Sequence, residues 1–254
     1  MVQTGQHQAP NPLPERGLLI IPAFNEAQTL PTLLEEVKAA ALPLDVLIIN
    51  DGSSDLTATT ARLHGAQVLD LPCNLGVGRA VQAGFQFADQ RGYGFVVRID
   101  GDGQHPPAEI PKLMQAAATQ GSDLVVGSRF GGERQIISTR FRYAGVKALA
   151  VFLSIICRSR IHDPTSGFWL VRQPLLRYFA NEFPSDYPEP EALALMRRQG
   201  FTFSEVPVKF RVRQAGVSSI RSWGTIYYAF KVGLALVVDR VRPVNRHFAR
   251  ERMA

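Results

Sequence analysis

In the first half of the chain, short unbroken apolar runs alternate with longer stretches whose apolar positions recur every three or four residues. Gly17 to Ile21, Asp45 to Ile49, Gln67 to Leu69, Phe95 to Ile99 and Leu124 to Gly127 are runs of the first kind and predict buried strands. Between the first two, Leu30, Leu33, Leu34 and Val37 stand at i, i+3, i+4 and i+7 and predict a helix over Thr29 to Ala41. Pro31 suits its first turn, where a missing N–H costs nothing. Helices are also predicted over Asp55 to His64, Gly78 to Gln90 and about Pro107 to Thr119. Strands that are apolar throughout and separated by helices imply an α/β fold, a mostly parallel sheet flanked by helices on both faces. Such sheets bind ligands at the carboxyl ends of their strands, so the residues after each run are the candidates.

The second half patterns differently. Val146 to Cys157 is strongly apolar but shorter than the about 20 residues needed to span a bilayer. It predicts a core helix or one that dips into a membrane interface. Asp163-Pro164-Thr165-Ser166-Gly167-Phe168 is a turn, and Tyr187-Pro188-Glu189-Pro190-Glu191 opens a helix over Ala192 to Arg198. In Phe203 to Arg213, Val206, Val208 and Phe210 alternate with Glu205, Lys209 and Arg211, which predicts a strand. Finally Ile220, Trp223, Ile226, Tyr227, Phe230, Leu234, Val238 and Val241 form an apolar stripe at helical spacing. The predicted organisation is a disordered polar, Pro-rich tail over 1–16, one domain over 17–215, an amphipathic helical extension over 216–243 and a basic tail over 244–254.

Composition adds a class and a charge asymmetry. With 254 residues, 46% hydrophobic and 20% charged, the chain is of globular type. Cys73 and Cys157 make neither a disulfide framework nor a metal-type pair, which suits a reducing compartment. Residues 1–127 hold 7 basic and 13 acidic side chains, net −6, and residues 128–254 hold 21 and 9, net +12. The second half therefore suits an anionic partner: phosphate, a lipid head group or a nucleic acid.

The sharpest chemistry is at the end of the fourth run, Asp100-Gly101-Asp102-Gly103-Gln104-His105-Pro106-Pro107. If the strand continued, Asp100 and Asp102 would point the same way. Two converging carboxylates need a cation between them; a hard divalent ion, Mg²⁺ or Mn²⁺, suits them, with Gln104 offering a third oxygen. Arg98 is the one sequence-adjacent cation. A calcium loop of the EF-hand type fails, because its Gly and Glu positions hold His105 and Pro111. A dinucleotide fingerprint fails too: Gly76-Val77-Gly78 lacks a third glycine at Val81 and follows the third strand.

Taken together, Ile21-Pro22-Ala23-Phe24-Asn25-Glu26, Asn50-Asp51-Gly52-Ser53-Ser54-Asp55, Asn74-Leu75-Gly76 and the Asp100 to Pro106 loop resemble the GT-A glycosyltransferases of family 2. They are most similar to the dolichol-phosphate mannose synthase-like, polyprenyl-phosphate branch, over about Leu18 to Arg242. The resemblance implies a Rossmann-like nucleotide-binding GT-A domain, a UDP- or GDP-sugar donor, a divalent metal and inversion at the anomeric carbon. It implies donor contacts from Pro22, Ala23, Glu26, Asp51, Arg79, Asp100, Gly101, Asp102 and, in a basic loop over Arg211 to Arg221, Arg213. Asp100, Asp102 and Gln104 would hold the metal, and Asp102, Arg129 and Asp163 would be catalytic. Arg129 and Arg142 (or Arg140) would bind the acceptor phosphate of a polyprenyl lipid. The expected setting is the cytoplasmic face of the membrane, held peripherally by its surface or by a small membrane partner, with a homo-oligomer possible and no nucleic acid. The alternative is the same fold acting on a hydroxyl acceptor, with Asp163 or Glu191 as base. A non-catalytic binder of anionic lipid or nucleic acid explains the basic half but leaves the Asp100–Asp102 pair without a purpose.

Overall fold

The computed structural model describes residues 12–130 and 140–211, the side chains of residues 140–142 excepted. The expectations for Arg213, for the side chains of Arg140 and Arg142, for the extension over 216–243 and for the tail over 244–254 lie outside the described residues.

The strands are β1 (Gly17–Ala23), β2 (Leu44–Asn50), β3 (Gln67–Asp70), β4 (Phe95–Arg98), β5 (Leu124–Ser128), β6 (Trp169–Arg172) and β7 (Phe203–Pro207). They form one sheet in the order β3-β2-β1-β4-β6-β5-β7. β1 runs parallel to β2 and β4, β2 to β3, and β5 to β7, whereas β6 is antiparallel to both β4 and β5. Six strands thus share one direction and β6 opposes them. The helices are α1 (Leu30–Ala39), α2 (Thr57–Leu63), α3 (Val77–Gln90), α4 (Ile110–Gln120, entered through a 3-10 turn at Pro107–Glu109), α5 (Arg140–Cys157), α6 (Leu175–Asn181) and α7 (Pro188–Arg198).

Because strand side chains alternate, the fully apolar strands feed two cores. Leu18, Ile20, Leu47, Ile49 and Val96 pack with Phe85 of α3, Leu149 and Leu153 of α5, Phe179 of α6 and Leu193 of α7. Leu19, Ile21, Ile48 and Val97 pack on the other face with Leu30, Leu33 and Leu34 of α1, Ala61 of α2 and Leu113 of α4.

Three features depart from the sequence reading. The packed chain begins before Gly17: Leu13 joins the second core, the Pro12 carbonyl accepts from Arg172 at 3.3 Å, and the Arg16 guanidinium lies 4.3 Å from the Tyr93 ring centroid. β6 and α6 follow the 163–168 turn directly; four residues are too few for a periodicity to declare itself. β7 ends at Pro207, which has no N–H to give the ladder, and the chain then runs on with single hydrogen bonds from Val208 N–H to the Ser128 carbonyl and from Arg211 N–H to the Gln104 carbonyl.

Candidate active site

The chain moves outward from β1 to β2 and β3, then returns to β4 on β1's other side. Between the carboxyl ends of β1 and β4 the strand order reverses, which in open α/β sheets marks the ligand crevice. The Asp100 turn lies in it: Gly101 N–H donates to the Pro22 carbonyl at 3.3 Å, and the Gly101 carbonyl accepts from the Thr29 hydroxyl at 3.0 Å. A Cβ on Gly101 would stand 3.1 Å from the Pro22 oxygen, so glycine allows this approach.

Since β4 stops at Arg98, the two aspartates sit on a turn rather than in the strand, and strand alternation does not aim them. Gly103, at φ 74°, bends the turn. Gln104 fixes Asp102 twice, by its backbone N–H to Oδ1 at 3.1 Å and by its side-chain amide to Oδ2 at 2.7 Å. The amide nitrogen faces Asp102, which differs from the expected third oxygen ligand. Asp102 is buried, while the Asp100 side chain is 34% exposed. The Asp100 N–H donates to His105 Nδ1 at 3.0 Å. Burial drives the His105 pKa down against the pull of Asp100 and Asp102, so the ring is neutral, as its acceptor role requires. His105 stacks on Phe168 and meets Phe210 edge-on, both at 5.1 Å.

Arg98, 1% exposed, reaches from β4 to Asp100 Oδ1 at 3.1 Å and to Glu189 Oε1, in the first turn of α7, at 2.8 Å. Burial opposes its charge, but Asp100 and Glu189 outweigh it and hold the guanidinium pKa above its ordinary value. The sequence reading singled out Glu191 on α7; Glu189 is the acid that joins the Asp100 turn. A lone arginine inside the apolar run Phe95 to Ile99 was the available signal.

The residues expected to contact the donor gather mainly at the β1 and β2 ends. Glu26 accepts from the Thr29 hydroxyl at 2.7 Å and its N–H donates to Thr57 Oγ1 at 2.9 Å. Asp51, buried at the end of β2, accepts from the N–H groups of Leu75 at 2.8 Å and Gly76 at 3.0 Å. Asp51 thereby ties the Asn74-Leu75-Gly76 loop to β2, and Ala23 accepts the Asp51 N–H at 3.0 Å. Arg79 stands exposed in the first turn of α3, bonded to Gln82 at 2.8 Å.

Arg129 follows β5. Its Nε and Nη2 grip Asp163 Oδ2 and Oδ1 at 2.8 and 2.6 Å, its N–H adds a bond to Oδ2 at 2.9 Å, and Nη2 also reaches Thr165 Oγ1 at 2.6 Å. Asp163 is fully buried, and its N–H donates to Glu205 at 2.8 Å. Desolvation works against the Arg129 charge, yet the bonds and charge of Asp163, with Glu189 and Asp100 beyond, keep its pKa raised. The guanidinium lies 5.4 Å from the Phe210 ring centroid, so Phe168, His105 and Phe210 link it to the Asp100 turn.

A model of the family described as "Glycosyl transferase family 2" matches residues 18–179, which takes in the β1 and β2 strand ends, the Asp100 turn and Arg129. The chain belongs to glycosyl transferase family 2. Among its relatives in this family, the polyprenol monophosphomannose synthase of Mycolicibacterium smegmatis is 31% identical, over 91% of this chain and 92% of that protein. The undecaprenyl-phosphate mannosyltransferase of Micrococcus luteus is 32% identical, over 81% and 87%. Of solved structures, glucosyl-3-phosphoglycerate synthase from Mycobacterium tuberculosis, in complex with Mn²⁺, UDP-glucose and phosphoglyceric acid, superposes with a TM-score of 0.67 at 20% identity, over 89% of this chain and 79% of that one. The fold is thus the GT-A fold of this family, and the chain is a glycosyltransferase.

Proposed function

We propose that this glycosyltransferase moves a sugar, with inversion and with the help of a divalent ion, from a UDP- or GDP-sugar to the phosphate of a polyprenyl lipid at the cytoplasmic membrane face. The observation that carries the reading is the pair of carboxylates on the Asp100 turn, at the reversal of strand order, with Arg129 linked to them through three aromatic rings. The named activities of the two mannosyl-transferring relatives support the acceptor class.

The donor set fits a hard ion held jointly with a substrate. Among the described residues no group of three or more His, Cys, Asp or Glu can form a cage. Magnesium is commonly bound by one or two carboxylates together with substrate phosphates and water. Asp100 and Asp102 would hold it, with Gln104 steering Asp102. The bound ion supplies charge neutralisation for the leaving diphosphate. Pro22, Ala23, Glu26 and Asp51 shape the nucleoside side of the crevice, Arg79 and Gly101 approach the diphosphate, and Arg213 is assigned to the same anion. Arg129 presents a positive charge to the acceptor phosphate, with Arg142 assigned as its companion.

A phosphate monoester has a second pKa of about 6 and is mostly dianionic near pH 7, so it attacks without a general base. The geometry of Asp163 supports this choice of acceptor. A base must turn an oxygen toward the attacking hydroxyl, whereas both Asp163 oxygens are on Arg129. The test is transfer to a short polyprenyl phosphate, screened with nucleotide sugars and Mg²⁺ or Mn²⁺. Asp102→Asn is expected to fold and to lose at least about a hundredfold in turnover, in line with loss of metal-borne charge stabilisation. Full activity of that variant in chelator, or transfer to hydroxyl acceptors alone, would overturn the reading.

A further inference from the structure

Resting on the metal-dependent reading above, we propose that Glu189 is a positioning residue for the metal loop and acts through Arg98, by drawing the guanidinium toward α7 and so limiting its hold on Asp100. Arg98 is a costly feature. It is 1% exposed, its Nε and Nη1 have no hydrogen-bond partner among the described residues, and it lies 5.5 Å from the Trp169 ring centroid. Buried donors without partners destabilise a fold, and apolar residues often replace buried ion pairs at no loss. Stability therefore gives no reason for an arginine at the end of β4.

Geometry gives one. A single nitrogen, Nη2, serves two carboxylates: Glu189 at 2.8 Å and Asp100 at 3.1 Å. The shorter bond goes to α7, 91 residues away in the chain. The surroundings are cut to fit this arrangement. A Cβ on Gly167 would come within 2.8 Å of Arg98 Nη2 and 3.1 Å of Asp100 Oδ2. With Glu189 ionised, Arg98 orients Asp100 from one side without capturing it, and Asp100 keeps 34% of its side chain exposed. With the Glu189 charge removed, Asp100 becomes the charged acceptor for Arg98, and the guanidinium competes with the incoming cation for the same carboxylate.

The experiment titrates the full chain with Mn²⁺ in the presence of UDP or GDP, against a nucleotide-only control, and follows the electron paramagnetic resonance signal of the ion not bound to protein. Glu189→Gln, which keeps shape and removes charge, is expected to bind Mn²⁺ about tenfold more weakly, the scale on which partners of metal ligands act. In the Arg98→Met background the same change is expected to have no effect, which separates action through Arg98 from direct attraction between Glu189 and the ion. Wild-type Mn²⁺ affinity in Glu189→Gln, with or without a lowered melting temperature, would overturn the proposal; the single variant decides this even if the double variant does not fold. An equal loss in the Arg98→Met background would overturn it as well. Absence of Mn²⁺ uptake by the wild type in the presence of UDP and of GDP would instead bring down the metal-dependent reading itself, and this proposal with it.

Discussion

Arg129 and Asp163 show how the charge proposed for the acceptor phosphate is kept in place by the fold. Arginine's planar fork matches a carboxylate at two points, and here the carboxylate is fully buried. Removing one side of such a pair strands the other in a low-dielectric interior, at a cost of about 3–5 kcal/mol. Arg129→Ala is therefore expected to lower the unfolding free energy by about that amount, and adding Asp163→Asn to restore part of it; denaturant melts of both variants check this. Arg129→Lys keeps the charge and loses the fork. It is expected to raise the acceptor KM by about ten- to a hundredfold, the worth of a charge-assisted contact, with the donor Kd nearly unchanged. An Arg129→Lys enzyme with normal acceptor KM would remove Arg129 from the acceptor site.

At the scale of elements, two features carry predictions. Glu109, at the start of α4, accepts from Lys112 Nζ at 2.6 Å and from the Lys209 N–H at 3.0 Å, which ties the segment after β7 to the helix. Burial pushes the Glu109 carboxyl up, but these bonds and the two lysine charges outweigh it and leave the pKa below the ordinary 4.5. A depressed folded-state pKa means that the unfolded chain takes up the proton first. The stabilisation from Glu109 is thus fully present above about pH 4.5 and fades as pH falls through the lowered value. Glu109→Gln is expected to melt earlier than wild type at pH 7, with the gap closing in thermal scans as pH falls below the ordinary 4.5 and through the lowered value. The second concerns a face of α5 left exposed. Val151 is 61% and Ile155 71% exposed, with Tyr143 and Lys147 a turn or two earlier. No helix among the described residues is long and apolar enough to cross a membrane. An apolar face beside basic residues favours an anionic surface, so Val151→Asp with Ile155→Asp is expected to weaken binding to anionic vesicles about tenfold. Flotation of wild type and variant at low salt checks it; equal flotation would assign the face to something other than lipid.

At the scale of the whole molecule, what the sequence disclosed and what it withheld follow from distance along the chain. β1, β2, β4 and β5 are largely apolar because helices cover both sheet faces, and that burial writes itself into near-continuous apolar runs. The turns after them were legible as carboxylate- and glycine-bearing strand ends for the same reason. The Arg98–Glu189 bond was not, since it joins residues 91 apart and only packing of α7 against the sheet brings them together. Asp163 read as a turn residue because nothing in Asp163-Pro164-Thr165 announces that Arg129 folds back onto it. The aim of the two aspartates was legible only in part: the turn that orients them begins where the strand period stops.

The reversed strand β6 carries a last consequence. β5 ends and β6 begins on the same rim of the sheet, and their junction is pinned by the Gly127 N–H donating to the Phe168 carbonyl at 2.8 Å. The chain therefore leaves the sheet after Ser128 and rejoins it at Trp169 on the same rim. The segment between is a cassette. Exchanging residues 129–168 with those of a relative is therefore expected to leave the β1 and β2 strand ends as they were, provided that the core residues the segment supplies, Leu149, Leu153 and Phe168, are retained, so that, on the proposed function, acceptor choice could be engineered separately from donor choice.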